Sequence, residues 1–379
     1  MHHPRHPALT EHGVRRRQPG VGTVIGGGRG HRSGELTMDA WLQENLACPR
    51  TGEPLTRSGD VLRSPSGAEY PVVEDVPVLL RDDVPQTIGL AHASLTAARD
   101  ALAGRRPDDW FLSTVGVSDE ERELARRLRK EEAAVVDPVV AVLIAATNGI
   151  FYRDLTGKVA EFPMPDLRLP PGEGRRLLDI GCSWGRWSVA AARKGYRPVG
   201  LDPSLGAVLA AKRMCARLGV AADFVVGDAR FLPFRPGVFD NVFSYSVVQH
   251  FSKADARQTL GEVARVLRPG GECFIQMPNA LGVRSFYHQL RRGFREGREF
   301  EVRYWRPGEL VNAFQELVGP SELSVDCYFG LGLQAADAPL MGPWRRRVIA
   351  LSEWLRRGAV VCSPMRKVAD SVYLRARRS

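Results

Sequence analysis

Two acids and two glycines decide what chemistry this chain of 379 residues can do. Asp179 and Gly181 close a short apolar run that begins at Arg176, Gly185 precedes a helical stretch at 187–193, and Asp202 ends a second apolar run at 198–201. The pattern reads as strand, tight turn, helix and strand, half of a doubly wound βαβ unit. Without a Cβ, Gly181 and Gly185 let the backbone turn sharply and approach a ligand at the helix N-terminus. Asp202 follows Gly181 by 21 residues, the distance at which an acid ending the next strand accepts both ribose hydroxyls. A nucleoside is expected here; the plainer reading is a strand–turn–helix whose glycines serve packing alone.

Charge selects the nucleoside. A dinucleotide fingerprint, G-x-G-x-x-G, places a pyrophosphate over the helix N-terminus. Here the spacing is G-x-x-x-G, and the carboxylate of Asp179 just before the first glycine repels an anion. S-adenosylmethionine, with its sulfonium and ammonium, suits that carboxylate. Through D-I-G-C-S-W-G at 179–185 the chain resembles the class I S-adenosylmethionine-dependent methyltransferases, whose first motif is D-x-G-x-G-x-G; Ser183 and Trp187 stand near positions where glycines and small residues are common. The resemblance implies an α/β fold with a doubly wound, seven-stranded Rossmann-like sheet. It implies cofactor contacts at Asp179, Gly181, Cys182, Gly185, Asp202, Pro203, Asp228, Ala229, Ser244, Tyr245 and Gln249, with Tyr245 and His250 as catalytic candidates and no metal.

The elements that must position these residues follow in order. A helix is expected at 205–218, then a third strand at 223–226 ending in Gly227-Asp228-Ala229. A carboxylate at the end of such a strand lies in the crevice where a parallel sheet binds ligands. The resemblance has Asp228 accept from the adenine amino group while Ala229 supplies a backbone NH; a turn cap is the alternative. A fourth strand is read at 239–247, and the resemblance implies that Tyr245, Ser246, Gln249 and His250, in and after it, lie nearest the methyl group. His250 titrates near neutrality and is a candidate base on an acceptor hydroxyl, or else a structural histidine. Residues 260–267 read as helix, 268–271 as a turn, and 272–277 as the fifth strand. An insertion spans 278–306; the resemblance implies that it caps the acceptor, with Arg284, Tyr287, His288, Arg303, Tyr304 and Trp305 as substrate-side candidates. A helix at 307–314 and strands at 323–329 and 370–376 complete the sheet. Within a basic insertion at 339–366, Trp344, Val348, Leu351 and Leu355 share one helical face, which suits either packing on the protein or peripheral contact with an anionic membrane.

Upstream, residues 1–37 are rich in His, Arg, Gly and Pro and are expected to be a disordered basic tail. Met38 opens more ordinary sequence and is a candidate start; a genuine tail is the alternative. Residues 38–84 read as a small β domain. Its L-x-C-P start and Y-P-V…D-V-P-V-L finish resemble the zinc-ribbon-related activator subunit of tRNA and protein methyltransferases. Thr51 stands where a second cysteine would partner Cys48, so zinc is not expected. Residues 85–171 read as a helical connector, with helices at 90–102, 119–132 and 139–147, leading into the methyltransferase domain at 172–379. In the family this region often covers the cofactor, making Phe151 and Tyr152 either pocket residues or core aromatics.

Length and composition are those of a globular protein with a sizeable core. The net charge of +10 sits at the ends: residues 341–379 hold ten Lys or Arg against two acids, and residues 1–37 hold six against two. The middle is slightly acidic, which gives little support to a nucleic-acid acceptor. The six cysteines form no C-x-x-C pair and read as buried thiols. Neither a membrane span nor a secretory signal is evident, so a cytoplasmic location is expected. The expected reaction is methyl transfer by direct displacement to a small-molecule acceptor, whether saccharide, lipid-linked compound or secondary metabolite. A tRNA or protein methyltransferase and a non-catalytic cofactor-binding scaffold are the alternatives.

Overall fold

The computed structural model describes residues 38–130 and 136–379. The expected tail at 1–37 and the last two residues of the helix expected at 119–132 lie outside the described residues. One mixed sheet organises the rest, and it has eleven strands rather than seven. They are β1 (Thr56–Ser58), β2 (Val61–Arg63), β3 (Glu69–Val73), β4 (Val76–Leu79), β5 (Arg176–Ile180), β6 (Arg197–Asp202), β7 (Asp223–Gly227), β8 (Phe239–Ser244), β9 (Leu267–Pro278), β10 (Ser321–Cys327) and β11 (Ser371–Arg377). Their order is β1-β2-β3-β4-β7-β6-β5-β8-β9-β11-β10. The seven expected strands form the middle and one end. The other four come from the N-terminal segment, because β4 pairs in parallel with β7 and closes what would otherwise be an open edge.

The central strands β7, β6, β5, β8 and β9 are parallel, and β11 runs antiparallel to both β9 and β10. Helices cover both faces of the parallel part, so its strands read as apolar runs without alternation. The order reverses between β5 and β8, and ligands bind outside the carboxyl ends of the strands at such a point. β8 stops at Ser244, short of the expected 247, because Ser246 takes a left-handed φ of 59° and turns the chain away. The expected turn at 268–271 is drawn into a longer β9, and the helix ahead of it begins at Lys253, where the Ser252 hydroxyl accepts from the Asp255 NH at 3.0 Å.

The connector anchors on the helix that follows Asp202. Ser94 Oγ accepts from the Leu205 NH at 2.9 Å, and Thr114 Oγ1 accepts from the Gly206 NH at 2.7 Å, so two free donors at the start of Leu205–Leu218 are satisfied from outside it. Gly206 permits this approach: a Cβ there would lie 2.6 Å from the Phe111 carbonyl oxygen. Phe151 and Tyr152 are core aromatics rather than pocket residues. Tyr152 is fully buried and donates to Asp337 at 2.7 Å, while Phe151 lies under the Arg345 guanidinium.

The N-terminal strands share the core of the parallel sheet. Leu42, Leu46 and Leu62 are buried with Phe234, Phe239 and Val242 in one apolar cluster, and the Trp41 and Phe239 rings meet edge to face at 5.6 Å. Leu46→Ala should therefore lower the stability of the whole described fold by about 2–5 kcal/mol. Calorimetry should show one cooperative transition shifted down; an early separate transition would mean that the N-terminal strands form their own unit.

Candidate functional site

A cavity of about 990 Å³ opens at the carboxyl ends of β5, β6, β7 and β8. Its volume stands at the top of the roughly 300–1,000 Å³ range of ligand sites, consistent with room for two reactants. At one end, Gly181 and Gly185 take φ of 73° and 80°, and Ser183 between them takes 47°. Ser183 thus adopts, at some strain, the backbone expected of the glycine it replaces. A Cβ on Gly181 would meet Val247 Cγ2 at 2.1 Å, so a larger residue would displace the segment after β8.

Asp202 explains how the turn holds. One carboxylate oxygen accepts from the Ser183 NH and the other from the Ser204 NH, each at 2.9 Å. Each oxygen keeps a further lone pair for a ribose hydroxyl. Burial pushes its pKa up to about 6. Asp179 pairs across to Gly200 and lies on the same sheet face as Asp202, but it sits beneath the turn and does not line the cavity. Its Oδ2 accepts from Ser188 at 2.7 Å, whereas Oδ1 has no partner among the described residues. Burial, opposed by the Ser188 hydrogen bond, pushes Asp179 up to about 7.

Cys182, Pro203, Asp228, Ala229, Tyr245 and Gln249 line the cavity with these residues. Ser244 does not: it is buried beneath and donates to the Ile180 carbonyl at 3.0 Å, tying β8 to β5. Asp228 takes the capping role and also stands in the cavity wall. It faces the cavity, caps the following turn through the Arg230 NH, and is held by the Arg230 guanidinium at 2.7 Å. Tyr245 donates its hydroxyl to buried Asp326 at 3.0 Å, and burial pushes its pKa well up.

At the other end, His250 Nδ1 lies 2.7 Å from the Phe300 carbonyl, and Nε2 lies 3.1 Å from the Gln249 amide nitrogen. A carbonyl only accepts, so Nδ1 carries the proton and the Nε2 lone pair accepts from the Gln249 amide. Burial lowers the pKa to about 4, leaving the ring neutral at physiological pH. Of the six cap residues expected to face substrate, Arg284, His288 and Tyr304 line the cavity. Tyr287 points to solvent, Trp305 is buried in the core, and Arg303 clamps the His250 carbonyl.

Sequence reasoning passed over Arg186. It opens the helix Arg186–Arg193, lines the cavity and is buried, yet its Nη1 has no hydrogen-bond partner among the described residues. Its guanidinium lies 5.1 Å from the Trp187 ring and 5.8 Å from that of Tyr245. A desolvated cation facing a cavity calls for an anion. Buried Gln276 and Ser371 were also missed. Gln276 accepts from the Ser246 NH and hydroxyl at 2.7 and 3.1 Å and donates to Ser371, holding the strained turn after β8.

Residues 177–271 match a family profile described as a methyltransferase domain. A ubiquinone biosynthesis O-methyltransferase of Azorhizobium caulinodans is 29% identical over 201 residues, which is 52% of this chain and 74% of the relative. One from Rhizobium etli is 37% identical over 187 residues, 46% of this chain and 68% of the relative. Among solved structures, Haemonchus contortus phosphoethanolamine N-methyltransferase 2 in complex with S-adenosyl-L-methionine aligns over 55% of this chain and 50% of the other, at 18% identity and a TM-score of 0.38, too slight a likeness to bear on function. The chain belongs to the class I S-adenosylmethionine-dependent methyltransferases, and S-adenosylmethionine is its cofactor.

The donor set fits that cofactor: open lone pairs on Asp202 for a ribose, Asp228 in the cavity wall for an amine, and the unpartnered Arg186 for a carboxylate. The Asp179 carboxyl tests the electrostatics. Folded, it holds its proton up to about pH 7, whereas the unfolded group releases it near 3.8. Stability therefore falls as pH rises through that window, on the order of 1.4 kcal/mol per unit. In the cofactor-free chain, Asp179→Asn should lack this component. Denaturant titrations at pH 5 and 8 should show the wild type losing several times more stability, relative to the variant, at the higher pH; parallel losses would mean that Asp179 ionises normally.

Proposed function

We propose that the chain methylates a hydroxyl of a small molecule, with His250 Nε2 as the proton acceptor. The observation that carries this reading is the His250 ring: it lines the cavity, is neutral and fixed as one tautomer by Phe300, and its Nε2 accepts from the Gln249 amide, a bond that the acceptor hydroxyl would replace. The relatives are named as O-methyltransferases of ubiquinone biosynthesis, which supports a hydroxyl acceptor. When bound, S-adenosylmethionine supplies a methyl on a positive sulfur that leaves by direct displacement. The protein's own work is alignment and desolvation. Asp202 and Arg186 hold the two ends of the donor, the connector covers it, and the apolar wall at Phe251, Phe300, Val302 and Tyr304 seats the acceptor.

His250 takes the acceptor proton as the oxygen gains its methyl. A base of low pKa is always available, but charging it in a buried place costs free energy. The Phe300 carbonyl offsets part of that cost by holding the Nδ1 proton. Incubating the protein with methyl-labelled cofactor and a panel of phenols, sugars and hydroxylated lipids should put label into an extractable small molecule with release of S-adenosylhomocysteine. Label in tRNA or protein fractions alone would overturn the reading.

Two substitutions separate binding from proton transfer. Asp202→Ala should weaken cofactor affinity by about 1.5–3 kcal/mol by calorimetry, since it removes hydrogen bonds to a charged acceptor. His250→Ala should leave that affinity near wild type and cost about 10²-fold or more in kcat. With cofactor saturating, so that titration of Asp202 near 6 does not limit binding, wild-type kcat should stay level from pH 8 towards 5 and fall as pH drops through about 4, where His250 gains its proton. A near-normal rate in His250→Ala would make the histidine structural.

A further inference from the structure

The cap helix Val283–Arg291 and the helices Pro343–Val361 and Ser363–Val368 leave large apolar side chains in solvent. On the cap, Phe286, Leu290 and Phe294 are about half exposed, and the two phenylalanine rings touch edge to face at 5.7 Å. On the longer helix, Trp344 and Trp354 are 67% and 69% exposed. Positions 344, 351, 354 and 361 share an outward face, opposite the buried Ile349, Ser352 and Ala359. Trp344 and Leu351, which could have packed on the protein, instead face solvent.

Hydrogen bonds join the two surfaces. The Asn279 amide donates to the Lys367 and Ala369 carbonyls, each at 2.8 Å, and Asp370 Oδ1 accepts the Arg284 and Ser285 NH groups that open the cap helix. Arg366 reaches back to the Ala359 and Val360 carbonyls at 2.8 and 2.7 Å. At its far end the cap leads to Phe300, which is largely exposed, stacks on His250 and also lines the cavity. Phe300 thus stands in solvent and at the cavity wall at once.

The rim of this surface is basic. Residues 283–298 hold five arginines against one glutamate, and residues 343–368 hold seven Lys or Arg against one. Arg347, Arg357 and Lys367 are exposed and make no salt bridge among the described residues. A second copy of the chain would bring like charges together. The chain's own first 37 residues, with six Lys or Arg against two acids, would do the same. Tryptophan with arginine around it matches the boundary between headgroups and acyl chains of an anionic lipid layer.

We propose that this face docks on an anionic lipid surface. The attachment is peripheral, since among the described residues no helix is long and apolar enough to cross a membrane. Docking sets the cavity mouth at the lipid, and the acceptor is then an amphiphile passing from the bilayer to the site. That final step rests on the methyl-transfer reading above; the docking does not.

The full chain should pellet with vesicles of phosphatidylcholine containing phosphatidylglycerol, poorly with phosphatidylcholine alone, and less in high salt. Trp344→Ser with Trp354→Ser, and separately Arg347→Glu with Arg357→Glu, should each cut binding about tenfold or more. Cofactor affinity by calorimetry should stay at the wild-type value in both, since none of the four residues lines the cavity. If the tryptophan variant loses its fold, the arginine variant decides. Failure to pellet, equal binding to neutral vesicles, or a wild-type dimer that Trp354→Ser converts to monomer would overturn the docking. Vesicle binding with methylation of water-soluble acceptors alone would keep the docking and overturn only the amphiphilic acceptor.

Discussion

The hydrogen bond from the Ser183 NH to Asp202 carries more of this structure than any other single contact. It pins the turn after β5 to the end of β6, and it holds a serine in a left-handed backbone that this residue type rarely adopts. Val247 lies against Gly181 on the other side, so the turn is fixed from β6 and from the segment after β8 together. That segment is itself strained at Ser246 and restrained by Gln276. Donor end and acceptor end of the cavity are thereby tied to one another through the sheet, which is what a direct displacement requires of its scaffold.

The same turn concentrates buried charge. Asp179 lies beneath it, Asp202 beside it and Arg186 just beyond it, with one oxygen of Asp179 and one nitrogen of Arg186 unpaired. Unpaired groups in a low-dielectric place are costly. Of the two, Arg186 faces the cavity, where a ligand's carboxylate could pair with it, whereas Asp179 is closed off beneath the turn. Burial raises both aspartates above the ordinary carboxylate range.

What the sequence revealed and what it hid have a common physical origin. β5, β6 and β7 were legible because strands buried on both faces must be apolar runs, and Asp202 was legible because its distance from Gly181 is set by one helix and two turns. Arg186 was hidden because a basic residue opening a helix looks solvated until the fold buries it. Asp326 and Asp370 were hidden for another reason: β10 and β11 bring them to the site from more than 80 residues downstream of Tyr245 and Arg284, and local spacing carries no trace of that meeting. The strand count failed in the same way. The segment V-P-V-L reads as a strand, but nothing in it says that its partner is β7.

That pairing has a consequence for the site. β7 carries Asp228 at its carboxyl end, and a two-residue parallel ladder with β4 covers the strand immediately before it. From β4 the chain runs through Pro85, whose carbonyl accepts from Arg230, to residues 87–91, which line the cavity at the donor end. The N-terminal strands thus fix the origin of the segment that covers the donor, and the guanidinium that holds Asp228 also holds that segment. One arginine at the sheet edge, Arg230, positions both the Asp228 carboxylate in the cavity wall and the segment after β4. The sheet and this segment therefore frame the cavity at the glycine turn, while the cap and the exposed Phe300 wall it at the His250 end.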